Sequence, residues 1–244
     1  MAIRLITSQA DLDRYDQWIK RIGNGNLWQS LERKAYLEAL GKEVRIYTSE
    51  DDGEIRASAL VMIDRTIFGW SSWEIPRGPI WGLEDSSFGL GILKQMIDDA
   101  KKERCFALYY SPNTPLIPSY KSLATAPSRR LVHSEATRII DLTLSEDEIL
   151  SQMKQKGRYN IKVAQKNDII VKESRDIDAF YDLVTKTGKR DGFVHHSKKQ
   201  YRAFLNDLPG AFLLLAYPPP TPNYQPQPPI AGVLNVVWEE RLIY

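Results

Sequence analysis

Between Met153 and Lys166 the chain reads MKQKGRYNIKVAQK, and its cations Lys154, Arg158, Lys162 and Lys166 recur every four residues. On a helix that spacing stacks them into one stripe, and no acid stands between Ser151 and Lys166 to neutralise it. Ile149, Met153, Ile161 and Ala164 fall on a different face, giving the helix an apolar side to bury. A one-sided row of Lys and Arg suits a polyanion such as a phosphate backbone. A solvated helix face has the same pattern, and spacing alone leaves both readings open.

Two further groups carry chemistry. Arg77 stands between Pro76 and Gly78 in PRGPIW, a turn whose flanking prolines restrict the chain's direction; such an Arg faces either a ligand or solvent. Near the end of a later helical segment come Lys189, Arg190, Asp191, Gly192 and Phe193, then His195, His196 and Tyr201. Gly192 is placed to end that helix in the left-handed conformation, and Asp191 can pair with Arg190. Adjacent histidines make a poor metal site, because neighbours point apart and no third ligand stands by; no metal is expected. There is no GxSxG, no Cys–His pairing in context and no HExxH, so no nucleophile–base motif is signalled.

The elements that must position these groups fall into two similar series. Ser8 with Asp11 starts a helix carried by Leu12, Tyr15, Ile19 and Ile22 to the break at 23–25, and Ser30 caps a second that stops at Gly41. Strand-like runs follow at 43–49, 54–63 and 67–75, the first two joined by the hairpin pair Asp52-Gly53. After PRGPIW the pattern predicts a helix over 86–104, a strand over 105–111, a short helix over 119–125 and a strand over 136–142. Ser145 and Glu148 then form a capping box for one long helix carrying the basic stripe. A strand at 169–172, helices at 178–189 and 198–208, and strands at 211–217 and 230–238 complete the series. The last two strands flank PPPTPNYQPQPP, which holds seven of the 14 prolines and cannot lie inside a sheet. The fold class expected is α/β (α+β), with mixed sheets flanked by helices. Two related units, 1–143 and 144–244, are expected, the second incomplete: RLIY begins a strand that reaches the last residue, as in a fragment.

The bulk composition narrows the class. A chain of 244 residues that is 43% hydrophobic and 26% charged belongs with soluble globular proteins. Its net charge of +2 means that any basicity that matters is local. Cys105 is the one cysteine, which excludes an internal disulfide framework, and its setting in CFALYY reads as a buried, inert thiol. No apolar leader or bilayer-length run is present, and a cytoplasmic location is expected.

Five stretches in order, NLWQSLERKAYLEALGKEV, PRGPIW, IIDLTLSEDEILSQMKQKGRYNIKVAQK, FYDLVTKTGKRDGF and IAGVLNVVWEERLIY, resemble the Fem-type (FemABX) peptidoglycan aminoacyltransferases. The resemblance covers nearly the whole chain. It implies two GNAT-like domains and transfer of an amino acid from aminoacyl-tRNA to the stem peptide of a lipid-linked or UDP-linked muropeptide, the step that builds interpeptide bridges. It implies no cofactor, the aminoacyl-tRNA being a co-substrate. Lys154, Arg158 and Lys162 would then contact tRNA or precursor phosphates. Arg77 resembles the family's basic residue before Gly-Pro and would line the precursor groove. Arg190 or His196 would hold the pyrophosphate, with Tyr201 supporting the sugar or base. A lipid-linked precursor implies peripheral contact at the inner face of the membrane. No catalytic residue is assigned, and Ser111 stands where many relatives have an acid before proline.

Two other classes share part of this pattern. A CoA-dependent GNAT acyltransferase needs a Gly-rich pyrophosphate loop, for which SSFGLG at 86–91 is the nearest match. A non-catalytic tRNA- or muropeptide-binding fragment needs only the basic stripe.

Overall fold

The N-terminal residues form a strand that the hydrophobic pattern does not advertise. Ala2–Ile6 (β1) pairs antiparallel with Glu43–Asp51 (β2), Ile6 opposite Ile46. Gln9–Arg21 (α1) starts where expected, its Asp11 N donating to Ser8 Oγ at 3.1 Å. A 3-10 turn (Leu27–Gln29) leads to Leu31–Ala39 (α2), capped by Ser30. From β2 the chain turns through Asp52 and Gly53, both at positive φ, into Glu54–Arg65 (β3). Ser71–Ile75 (β4) and the two-residue Ile80–Trp81 (β5) both pair antiparallel with β3. Ser87–Lys102 (α3) then returns the chain to Cys105–Tyr110 (β6), which lies parallel to β4. The sheet order is β1-β2-β3-β4-β6, with β5 also on β3.

Alternation along β3 divides the core. Ala57, Ala59, Val61 and Ile63 face α3, where Ile92, Leu93, Met96 and Ala100 are buried with Trp73 and Ile75. Leu60 joins Ile6, Tyr15, Ile19, Leu37, Ile46 and Ile80 on the side of α1 and α2. The result is a helix–sheet–helix sandwich. Gly91 sits deep in α3, where an added Cβ would meet Met1 Cε at 3.1 Å and Ile3 Cδ1 at 3.3 Å.

The structure, a computed structural model, describes residues 1–82, 86–113, 123, 126–128, 137–220 and 227–243. The chain splits into two compact units: 1–133 with 207–209 and 238–241, and 134–206 with 210–237 and 242–244. In the second, Glu146–Ser151 (α4) opens with the Ser145/Glu148 capping box, and Gln155–Lys166 (α5) follows after a break. Ile170–Ser174 (β7), Ile177–Asp191 (α6), Lys198–Asp207 (α7), Ala211–Tyr217 (β8), Ala231–Trp238 (β9) and Arg241–Ile243 (β10) complete it. The sheet order is β10-β9-β8-β7, antiparallel between β7, β8 and β9. Ile177 and Phe180 of α6 and Leu205 of α7 bury against Leu213 and Leu215.

Four expectations are corrected. The single long helix from Ser145 is two, because the end of α4 closes with tight bonds: Gln152 N to Ile149 O at 3.2 Å and Met153 N to Leu150 O at 3.0 Å. Arginine side chains then take the released carbonyls, Arg138 on Gln152 O at 3.2 Å and Arg158 on Met153 O. Second, α5 buries none of its side chains, and Ile161 and Val163 are exposed, so its apolar side is not a core face among the described residues. Third, residues 137–142 hold no strand; Asp141 Oδ1 instead accepts from Thr143 N at 2.9 Å and Oγ1 at 2.7 Å, a side-chain turn that competes with extended pairing. Fourth, the strand expected over 67–75 begins only at Ser71, residues before it forming a hairpin turn. The helix expected over 119–125 lies, except residue 123, outside the described residues, as do Ala136 and residues 221–226 of the proline-rich segment.

Candidate functional site

The first group of candidates is organised by a gap in the sheet. One side of β3 is paired by β5 at Ala57 and Ser58 and by β4 from Met62 onward, leaving Leu60 between them. The carboxamide of Gln29 fills that gap as a one-residue strand would. Leu60 N donates to Gln29 Oε1 at 2.7 Å, and Gln29 Nε2 donates to Leu60 O at 3.2 Å. The same Nε2 donates to Pro76 O at 2.7 Å, fastening the PRGPIW loop. Gln29 is fully buried, and its own carbonyl accepts from the Tyr15 hydroxyl. Burial raises the Tyr15 phenol above its ordinary pKa, so it remains a donor.

The loop is held from both sides. Asn26, nine-tenths buried, donates Nδ2 to Arg77 O at 3.1 Å, and Asn24 Nδ2 donates to Trp81 O at 3.0 Å. Gly78 allows the close approach: a Cβ there would stand 2.7 Å from Gln29 Cδ and Nε2. The Gly78–Pro79 peptide is cis. Arg77 takes φ 50°, an uncommon conformation for a side-chain-bearing residue, and its N donates to Ser111 Oγ at 3.1 Å. Ser111 therefore anchors the loop backbone. The Arg77 guanidinium lies 5.9 Å from the Trp28 ring centroid and 3.5 Å from Asn113 Oδ1. A half-exposed guanidinium beside an indole can bind a phosphate while the ring contacts a planar or sugar group.

Gln29, Asn26 and Trp28 carry no role in the sequence reading. The available signal was Gln29 itself, a polar residue between apolar Leu27–Trp28 and the Ser30 cap.

The second group lies in the second unit. Arg190 is exposed and paired through Nε and Nη2 with Asp191 at 2.7 and 2.9 Å. That contact raises the guanidinium pKa and lowers the carboxyl's. Gly192 ends α6 at φ 75° in the left-handed conformation, its N donating to Gly188 O at 2.8 Å. His196 is exposed, 5.9 Å from the Tyr201 ring, while His195 packs edge-on to Tyr181 at 5.2 Å. Tyr201 packs edge-to-face on Phe180 at 5.3 Å and against the core, and burial raises its phenol pKa. Its ring is thus a structural prop for the segment bearing His196. Lys198 adds a cation 5.2 Å over Tyr181, though Asp178 holds it at 2.8 Å.

Of the stripe, Arg158, Lys162 and Lys166 ride on α5, and Lys154 is its N-cap. Lys154, Lys162 and Lys166 are exposed, and Arg158 is half-buried against the Met153 carbonyl. None of the four makes an ion pair among the described residues. The glycines of SSFGLG lie inside α3, both buried, which makes them packing glycines.

The FemAB family profile matches residues 10–141 and 131–219. The lipid II:glycine glycyltransferase of Staphylococcus aureus (strain MRSA252) is 22% identical over 196 residues, covering 74% of this chain and 47% of that protein. The crystal structure of FemX superposes with a TM-score of 0.68 at 20% identity, over 88% of this chain and 57% of that one. The chain therefore spans about half the length of the relatives it matches, with the fold of FemX over most of its own residues. With the family profile running from residue 10 to residue 219, the chain belongs to the FemAB family.

Proposed function

We propose that this chain is an aminoacyltransferase that extends the peptide stem of a peptidoglycan precursor, the substrate class named in its Staphylococcus aureus relative. The observation that carries the reading is the family match across residues 10–219. The Arg77 loop supports it physically: a guanidinium beside the Trp28 ring, on a backbone fastened by Gln29 and Asn26, suits the pyrophosphate of a lipid-linked or UDP-linked muropeptide.

The amino-acid donor in this reading is aminoacyl-tRNA. The acceptor amine attacks the ester carbonyl; a C–N bond forms, the C–O bond to the ribose breaks, and the proton lost by the amine ends on the released ribose hydroxyl. An activated ester needs no enzyme nucleophile, so catalysis rests on orientation and on stabilising the tetrahedral oxyanion. Lys154, Lys162 and Lys166, exposed and without an ion pair among the described residues, supply a phosphate-tracking surface that would carry the tRNA without reading its sequence.

The test supplies purified protein with charged tRNA or acetyl-CoA, together with lipid II or UDP-linked muropeptide, and follows the acceptor by mass spectrometry. Aminoacylation from charged tRNA is expected. Acyl transfer from CoA alone would overturn the reading.

A further inference from the structure

The turn between β3 and β4 holds large apolar side chains in water: Ile67 is 94% exposed, Phe68 75% and Trp70 51%. It is a built turn. Thr66 N donates to Trp70 O at 2.8 Å, Trp70 N to Thr66 Oγ1 at 3.1 Å and Gly69 N to Thr66 O at 3.0 Å, with Gly69 at φ +77°. Beside it the β4–β6 register slips: Ser71 faces Cys105, but Ser72 faces Ala107. Phe106 is the residue left over, and the bulge turns it outward to 62% exposure. Closing a hairpin requires none of these apolar groups, since small polar residues do so equally well.

The charges at this end of the sheet are arranged to a pattern. Glu43 and Glu103 are neutralised by Arg45 and Arg65 in contacts of 2.5 to 2.7 Å. Asp64 is held by Lys42 at 2.5 Å. Arg104, whose carbonyl accepts from Ser71 N at 3.2 Å, is exposed and makes no ion pair among the described residues. A tip of exposed apolar side chains, with neutralised acids and an Arg104 that makes no ion pair among the described residues, therefore faces solvent.

We propose that this tip inserts into the interfacial layer of a phospholipid bilayer, with Ile67 and Phe68 leading, Trp70 and Phe106 at headgroup depth and Arg104 on lipid phosphates. Trp at the apolar–polar boundary and a flanking cation are what such an interface favours. A protein partner would need far more surface than one turn offers, since stable interfaces bury about 1,200 Å² or more. The choice of a bilayer over a protein socket also rests on the proposed lipid-linked substrate; the apolar tip itself does not.

The experiment is co-sedimentation of the 244-residue chain with vesicles of phosphatidylcholine, alone or mixed with phosphatidylglycerol, with no precursor present. Wild-type protein is expected to bind both, the anionic vesicles more tightly. Ile67→Ser/Phe68→Ser should weaken binding to both by roughly tenfold to a hundredfold, with an unchanged melting profile because both positions are exposed. Arg104→Gln should remove only the preference for phosphatidylglycerol. The proposal is overturned if wild-type protein stays in the supernatant, or if the double variant sediments equally. A wild-type dimer in the ultracentrifuge that the double variant abolishes would also overturn it, assigning the tip to a second copy. Binding of UDP-linked muropeptide in vesicle-free solution scores the transferase reading separately.

Discussion

Replacing Gln29 with leucine keeps its volume and removes its carboxamide, and the structure gives the consequence. Leu60 N, Leu60 O and Pro76 O each lose their partner in a fully buried setting. A buried polar group left unsatisfied costs about 1–3 kcal/mol, and partial relaxation of the loop returns some of it, so Gln29→Leu should destabilise the first unit by about 3–5 kcal/mol. Urea denaturation followed by circular dichroism measures the loss. Amide hydrogen exchange at Leu60 localises it, because an amide protected in the wild type should exchange through local opening in the variant. Precursor affinity should fall with stability, since the Arg77 loop is released from β3. A loss below about 1 kcal/mol together with a still-protected Leu60 amide would refute the argument that this side chain stands in for a strand.

Gly78→Ala places a methyl 2.7 Å from the Gln29 carboxamide and should cost about 1–3 kcal/mol by overpacking, read from the same denaturation curve. Arg77→Ala should leave the fold intact while weakening UDP-muropeptide binding at least about tenfold, and Arg77→Lys should rescue little, because an ammonium lacks the planar fork that binds a phosphate through two bonds; calorimetric titration decides. Changing Lys154, Lys162 and Lys166 together to Gln should alter stability by no more than about 0.5 kcal/mol per site, all three being exposed, yet lower the slope of log affinity for tRNA against log salt, as each lost phosphate contact releases fewer counterions. Identical slopes would exclude phosphate contact. Arg65 holds the Glu43 carboxyl and Arg45 the Glu103 carboxyl below the ordinary range. Their stabilisation is therefore present above the unfolded carboxylate pKa of about 4.3 and is lost as pH falls through the lower folded values. Arg65→Gln should flatten that acid limb of the denaturation midpoint.

Local chemistry made much of the fold legible. Asp52-Gly53, the Ser8 and Ser30 caps, the Ser145/Glu148 box and Gly192 each signal a turn or helix end through residues adjacent in sequence, and the structure has each of them. Elements defined by distant partners were not legible. β1 is a strand because Leu5 finds Tyr47 and Ile6 finds Ile46, and β5 is two residues long. The break between α4 and α5 carries no Gly or Pro; α4 closes with tight bonds, and Arg138 and Arg158 take the carbonyls this releases. Arg77 was legible as a candidate through its Pro-Arg-Gly-Pro setting, whereas Gln29 acts across 31 and 47 residues of chain. Tyr201 shows the reverse: an aromatic next to candidate ligands whose ring is taken up by packing on Phe180.

The fastening of the Arg77 loop separates what must stay from what can change. Asn26, Gln29 and Gly78 work through backbone atoms and close contact, and alteration there disturbs β3 itself. Trp28, Arg77 and Asn113 reach out from that frame through side-chain atoms alone at their tips. If the proposed function holds, exchanging those three side chains would retune the protein toward a different acceptor, while the scaffold beneath them keeps its register.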